Sequence, residues 1–125
     1  MTMQEQLRVL IQRNCAKLVE QIVDVGRLLA QIEESGAVSE DLIAEAQGIT
    51  HQMKGAAGSI GFGEMGAAAT VLDENLKDLR KRAGAISPDQ LQATRRLFVT
   101  LQSIGERTTP EMSTLYNADL SQLAR

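Results

Sequence analysis

Aromatic side chains are nearly absent: Phe62, Phe98 and Tyr116 are the only ones, and there is no tryptophan. A core without aromatics must be filled by Leu, Ile, Val, Met and Ala, which favours packed helices over a sandwich or barrel. One cysteine, Cys15, excludes an internal disulfide, and with a single histidine beside it a zinc site has no ligand set. Two prolines leave long stretches free to be helical. No run approaches the roughly 20 apolar residues of a membrane span, and Met1 to Asn14 shows no signal-peptide pattern. The net charge of −3 gives no basic footprint for nucleic acid. The expectation is a cytoplasmic protein that binds neither nucleic acid nor membrane.

What is present is helical periodicity. Leu7, Ile11, Cys15, Leu18, Ile22, Val25, Leu29 and Ile32 recur at three- and four-residue steps from Gln4 to Glu34. This is one rod, or a short helix followed by a longer one capped by Asn14, and Ser35-Gly36 ends it. Ser39 caps a second helix, with Glu40 and Asp41 in its first turn, running to about Phe62. A third spans about Glu64 to Ala83 on the stripe Met65, Ala68, Leu72, Leu76 and Leu79. It closes with Arg80, Lys81 and Arg82 at the negative end of the dipole and stops at Gly84. Ser87-Pro88-Asp89-Gln90 is a capping box that opens a fourth helix carrying Leu91, Leu97, Phe98, Leu101 and Ile104. Thr109-Pro110-Glu111 is a further possible start; Leu115, Leu120 and Leu123 either pack as a short helix or belong to a tail that frays. The expected fold is all-α, an antiparallel four-helix bundle with possible short extra helices at either end. It forms one domain over residues 1–125, with the bundle at about 4–107 and an extension at 108–125.

Six of the ten glycines fall between Gly48 and Gly66, around the only histidine. Gly48, Gly55 and Gly58 lie inside the helical pattern, where each costs about 1 kcal/mol relative to alanine. At about 100° per residue, Leu42, Ala46, Ile49, Met53, Ala57 and Ile60 form the core stripe, and His51 lands about 180° from Leu42. Ala44, Gln47, Gly48, Lys54, Gly55, Gly58 and Phe62 share its face. Gly48 and Gly55 are its i−3 and i+4 neighbours, and Lys54 its i+3 neighbour. The imidazole is expected to stand on a floor of missing side chains with one cation beside it. A neutral imidazole is a good nucleophile near pH 7, and a lysine one turn away can neutralise phosphoryl oxygens. Close helix packing is the plain alternative for the glycines, but Gly55 and Gly58 point away from the stripe.

Other chemistries find less support. Gly61-Phe62-Gly63-Glu64-Met65-Gly66 spells G-x-G-x-x-G, but a helix rather than a strand precedes it, so a dinucleotide site lacks its context. No G-x-S-x-G occurs to supply a hydrolase nucleophile elbow.

His51-Gln52-Met53-Lys54-Gly55, then Gly58 and Ile60-Gly61, resembles the H-x-L-K-G-x-x-G-x-L-G signature of histidine-containing phosphotransfer (Hpt) domains of bacterial phosphorelays. Met65, Ala68 and Leu72-Asp73 also match that family's spacing. Met53 stands in place of the usual Leu, and Asp73 is shorter than the usual Glu or Gln. The resemblance implies that His51 is phosphorylated on a ring nitrogen and that Lys54 contacts the phosphoryl oxygens. Gly55 would let a response-regulator receiver domain approach, and Asp73 and Lys77 would flank the site. It implies a phosphocarrier without ATPase or kinase activity, with no cofactor of its own and with Mg²⁺ carried by the partner receiver. The implied partners are receiver domains and a hybrid or chemotaxis-type histidine kinase, met by a monomer. A histidine kinase's dimerising domain usually has an acidic residue after the histidine and a proline soon after; Gln52 follows here, and no proline comes before Pro88. The alternatives are an excised phospho-acceptor domain of a chemotaxis-type kinase, or a helical adaptor in which His51 is incidental.

Overall fold

The computed structural model describes residues 1–35, 39–82 and 86–118. Four helices follow in order: α1 (Met3–Glu34), α2 (Glu40–Ser59), α3 (Gly63–Lys81) and α4 (Pro88–Arg107), then a short 3-10 turn, Pro110–Met112. Three of the four begin at a side-chain cap, and α3 follows the turn at Gly61 without one. Thr2 and Ser39 accept from the backbone N–H groups of Glu5 and Leu42. Ser87 and Gln90 form the reciprocal capping box at α4. α1 is one unbroken rod, and Asn14 does not cap a second piece; its amide donates instead to the Leu10 carbonyl one turn back. The expected stops at Gly36 and Gly84, and the tail leucines Leu120 and Leu123, lie outside the described residues.

The helices pack in a ring, each against its two neighbours. Paired positions run in opposite senses along every neighbouring pair they define. Lys54 meets Asp73 and Gln47 meets Arg80 across α2 and α3. Asn75 meets Thr94 and Glu64 meets Arg107 across α3 and α4. Across α4 and α1, Arg95 meets Glu33, while Phe98 lies over Gly26. The result is the up-down-up-down arrangement expected of four amphipathic helices with short links. Its centre is aliphatic: Ile11, Leu18, Val25, Ile43, Met53, Met65, Leu72, Leu76 and Leu101 are essentially inaccessible. On α3, Ala69 is the fully buried alanine and Ala68 is only half-buried.

Two expectations about α2 are corrected. The helix ends at Ser59 rather than near Phe62, because Gly61 takes φ +90°, a left-handed conformation that terminates the helix. Its buried face is Ile43, Ala46, Gln47, Thr50, Met53 and Ala57, while Leu42 and Ile49 are only half-buried. At about 100° per residue that face is rotated by roughly 60° from the apolar stripe. Thr50 turns inward because its hydroxyl donates to the Ala46 and Gln47 carbonyls of its own helix, which removes the cost of burying it. The consequence is that His51 sits on the flank of the α2–α3 seam, not opposite the core.

Candidate functional site

One line along α2, Gln47, His51, Lys54 and Gly58, faces one line along α3, Gly66, Asp73, Lys77 and Arg80. The i, i+4, i+7, i+11 spacing on α2 keeps these residues on one strip of the helix. At one end the helices nearly touch. A Cβ on Gly66 would stand 3.3 Å from the Gly58 nitrogen and 3.7 Å from the Lys54 carbonyl oxygen. Close approach there lets a side chain as short as Asp73 cross the gap farther along.

Asp73 is fully buried and is the hub. Its Oδ1 accepts from Gln47 Nε2 at 2.9 Å. Its Oδ2 accepts from Lys54 Nζ at 3.0 Å and lies 3.5 Å from both Lys77 Nζ and His51 Nδ1. Burial pushes the Asp73 carboxyl up, but the hydrogen bonds from Gln47, Lys54 and His51 and the Lys54 charge outweigh it, so its pKa falls to about 2. Asp73 is therefore an anion at any working pH. It can only accept, so in the contact with His51 the proton is on Nδ1, and the lone pair of a neutral ring is then on Nε2. The His51 side chain is 58% exposed, so that lone pair is reachable.

The surroundings of His51 are bare on one side. A Cβ added at Gly48, Gly55 or Gly58 would meet nothing within 4 Å. These glycines are exposed, and their missing side chains clear the surface around the ring. Gly66, by contrast, does serve helix packing. Ala44 is half-buried. Two residues expected on this open floor are not there. Gln47 is buried beneath the site, held by Asp73 on one side and by Arg80 Nη1 donating to its Oε1 at 2.7 Å on the other. Phe62 is buried in the core beyond the end of α2, because the turn at Gly61 takes it off the helical wheel. Arg80, read from sequence only as a dipole-compensating helix end, has a specific side-chain partner in Gln47. Asp73 lies beside the ring, and Lys77, one turn on along α3, pairs with the same carboxylate oxygen.

Among the described residues, no group of three or more His, Cys, Asp or Glu side chains is placed to hold a metal ion. None of the described helices is long and apolar enough to cross a membrane. Cys15 is buried in the core on α1.

No curated protein and no solved structure matches the chain significantly. The family model of the Hpt domain matches residues 9–124, nearly the whole chain, and carries with it a phosphotransfer role in two-component signalling, where such domains meet receiver domains and histidine kinases. A four-helix bundle with one exposed histidine on its second helix, matched over this length, is a member of the Hpt domain family.

Proposed function

We propose that His51 accepts a phosphoryl group on Nε2 and passes it on, relaying it between receiver domains or from a histidine kinase to a response regulator. The observation that carries this reading is the pairing of His51 Nδ1 with the buried, ionised Asp73 on a ring that is otherwise open to solvent.

The proton balance is simple. The neutral ring enters with its proton on Nδ1. Nε2 attacks phosphorus of an aspartyl phosphate in line, and the aspartate carboxylate leaves. The new N–P bond gives the ring a positive charge, which Asp73 faces directly. In the onward step a second aspartate oxygen attacks phosphorus and Nε2 departs as the same neutral, Nδ1-protonated imidazole. No proton moves in either direction, so the relay runs both ways through a loose transition state. Lys54 and Lys77 share one carboxylate oxygen, which leaves cationic charge over for the phosphoryl oxygens. Mg²⁺ belongs to the partner receiver, and the proposed carrier has no ATPase or kinase activity. It works as a cytoplasmic monomer, with Gly48, Gly55 and Gly58 giving a partner's active site room to descend onto the ring.

The test is transfer from a phosphorylated receiver, with acid-labile, alkali-stable label on this chain as the readout. His51→Ala abolishes the label; label retained in that variant defeats the reading. Lys54→Ala folds normally and transfers roughly tenfold more slowly, less than the loss from a fully buried donor, since Lys54 is partly exposed.

A further inference from the structure

Gln47 lies four residues before His51, never reaches the surface around the ring, and yet is hydrogen-bonded at both ends. Its burial needs an explanation, because a glutamine at this depth must satisfy its whole amide. Arg80 has only donors, so it can meet only the amide oxygen. Ionised Asp73 has only acceptors, so it can meet only the amide nitrogen. The two neighbours therefore fix which way the amide points, by chemistry rather than by shape.

That orientation matters to Asp73. Three donors, His51, Lys54 and Lys77, converge on Oδ2, and two of them carry a full charge. Gln47 is the partner of Oδ1. Remove it, and the carboxylate is free to rotate and give both oxygens to the two lysines. The 3.5 Å approach of the His51 ring, at the outer limit of a hydrogen bond, is the contact such a rotation would break.

We infer that Arg80 and Gln47 form a positioning chain that holds the Asp73 carboxylate in the rotation that keeps the His51 proton on Nδ1. This rests on the reading of His51 as the phosphoacceptor. Arg80 orients Gln47, Gln47 pins Oδ1, and the pinned carboxylate presents Oδ2 to the ring. Gln47 touches neither phosphorus nor partner; it acts through Asp73, as the outer partners of a histidine ligand act through its second nitrogen.

The chain has a single histidine, so a long-range ¹H–¹⁵N spectrum of the unphosphorylated protein reports its tautomer without ambiguity. The wild-type ring is expected to be protonated on Nδ1. Gln47→Met, which keeps length but removes both bonds, shifts it towards the Nε2–H form that free imidazole side chains prefer. Transfer slows about tenfold, the low end of the losses seen when a hydrogen bond that orients a working side chain is removed. The loss falls on kcat and leaves KM for the donor receiver unchanged, because Gln47 is buried. Arg80→Met, at an exposed position that the fold tolerates, moves the tautomer the same way by a smaller amount. The double variant is no worse than Gln47→Met, because the two act in series. A tautomer indifferent to both substitutions overturns the inference, as does a double variant whose losses add. The tautomer is read without phosphate, so the two readings fail separately. A wild-type chain that takes no label, but whose ring responds to Gln47→Met, defeats the phosphoacceptor reading and leaves the positioning chain standing. A labelled chain whose ring ignores Gln47 does the reverse.

Discussion

Gly66 on α3 rests against the backbone of Gly58 on α2, and a Cβ at Gly66 would come within 3.3 Å of the Gly58 nitrogen. The neighbour is main chain, which cannot step aside as a flexible side chain would. Alanine at position 66 gains about 1 kcal/mol of helix propensity, while overpacking a tight contact costs about 1–3 kcal/mol. The packing cost wins. Gly66→Ala is expected to lower unfolding stability by up to about 2 kcal/mol in urea. It should also slow phosphotransfer, because widening the seam lengthens the approach of Asp73 to His51. A variant more stable than wild type with unchanged transfer would show that the seam has slack.

Gly55 makes the opposite case on the same helix. Nothing lies within 4 Å of the position its Cβ would take. Gly55→Ala therefore raises stability by about 1 kcal/mol, the full propensity difference. If its bareness serves docking, the same substitution slows transfer from a receiver protein but leaves phosphorylation by a small donor such as phosphoramidate untouched. Parallel assays with the two donors decide it; equal rates with the receiver would make Gly55 a bystander.

Much of this was readable in the sequence, and the failures have physical causes. Periodicity, the Ser39 cap and the capping box at Ser87 are local signals, and the structure follows them. So is the bareness around His51, since a missing side chain is missing in any fold. Gln47 and Phe62 lie off the expected floor for different reasons. A helical wheel assigns the buried face by apolar side chains alone. Gln47 earns its burial from Asp73 and Arg80, 26 and 33 residues away, and Thr50 from carbonyls of its own helix. No local pattern announces either. Phe62 shares the wheel of His51 only in a helix that continues past Gly61, and α2 stops at Ser59. The signal that could have found Gln47 is its place in the Gln47–His51–Lys54–Gly58 strip, together with the acid and cations spaced along α3.

Asp73 makes a prediction in acid. Its carboxyl falls from an ordinary value of 3.8 to about 2 in the folded chain. A depressed carboxyl contributes stability that is present above the unfolded value and is lost as pH falls through the folded one. The window is therefore pH 4 down to about 2, and the shift corresponds to roughly 2 kcal/mol. Asp73→Asn removes this titration and also puts an amide donor where only an acceptor suits Gln47 or the lysines. The variant should be less stable at pH 7, and the gap to wild type should narrow by roughly 2 kcal/mol between pH 5 and pH 2. Urea unfolding at a series of pH values measures it. Curves that stay parallel across that range would mean the carboxylate is not the anion described.

The segment after α4 secures the turn that carries α2 into α3. Ser113 is buried; its hydroxyl donates to the Ile60 carbonyl at 2.6 Å and accepts from Leu115 N at 3.1 Å. Thr114 N donates to the Gly61 carbonyl at 3.0 Å, and Arg8 on α1 holds the Tyr116 carbonyl at 3.0 Å while stacking on its ring. Ser113→Ala leaves the Ile60 carbonyl and the Leu115 N–H without that hydroxyl, at a cost of about 1–2 kcal/mol. A drop of roughly 4–8 °C in Tm follows for a domain of this size. The turn is about 15 Å along α2 from His51, so single-turnover phosphotransfer at 20 °C should keep its wild-type rate. Ser103→Ala, at an exposed position on α4 where no buried partner is lost, is the control and should not lower Tm. Equal melting of the two serine variants would show that the tail merely lies on the bundle, and a transfer defect in Ser113→Ala would show that the turn and the seam are mechanically coupled.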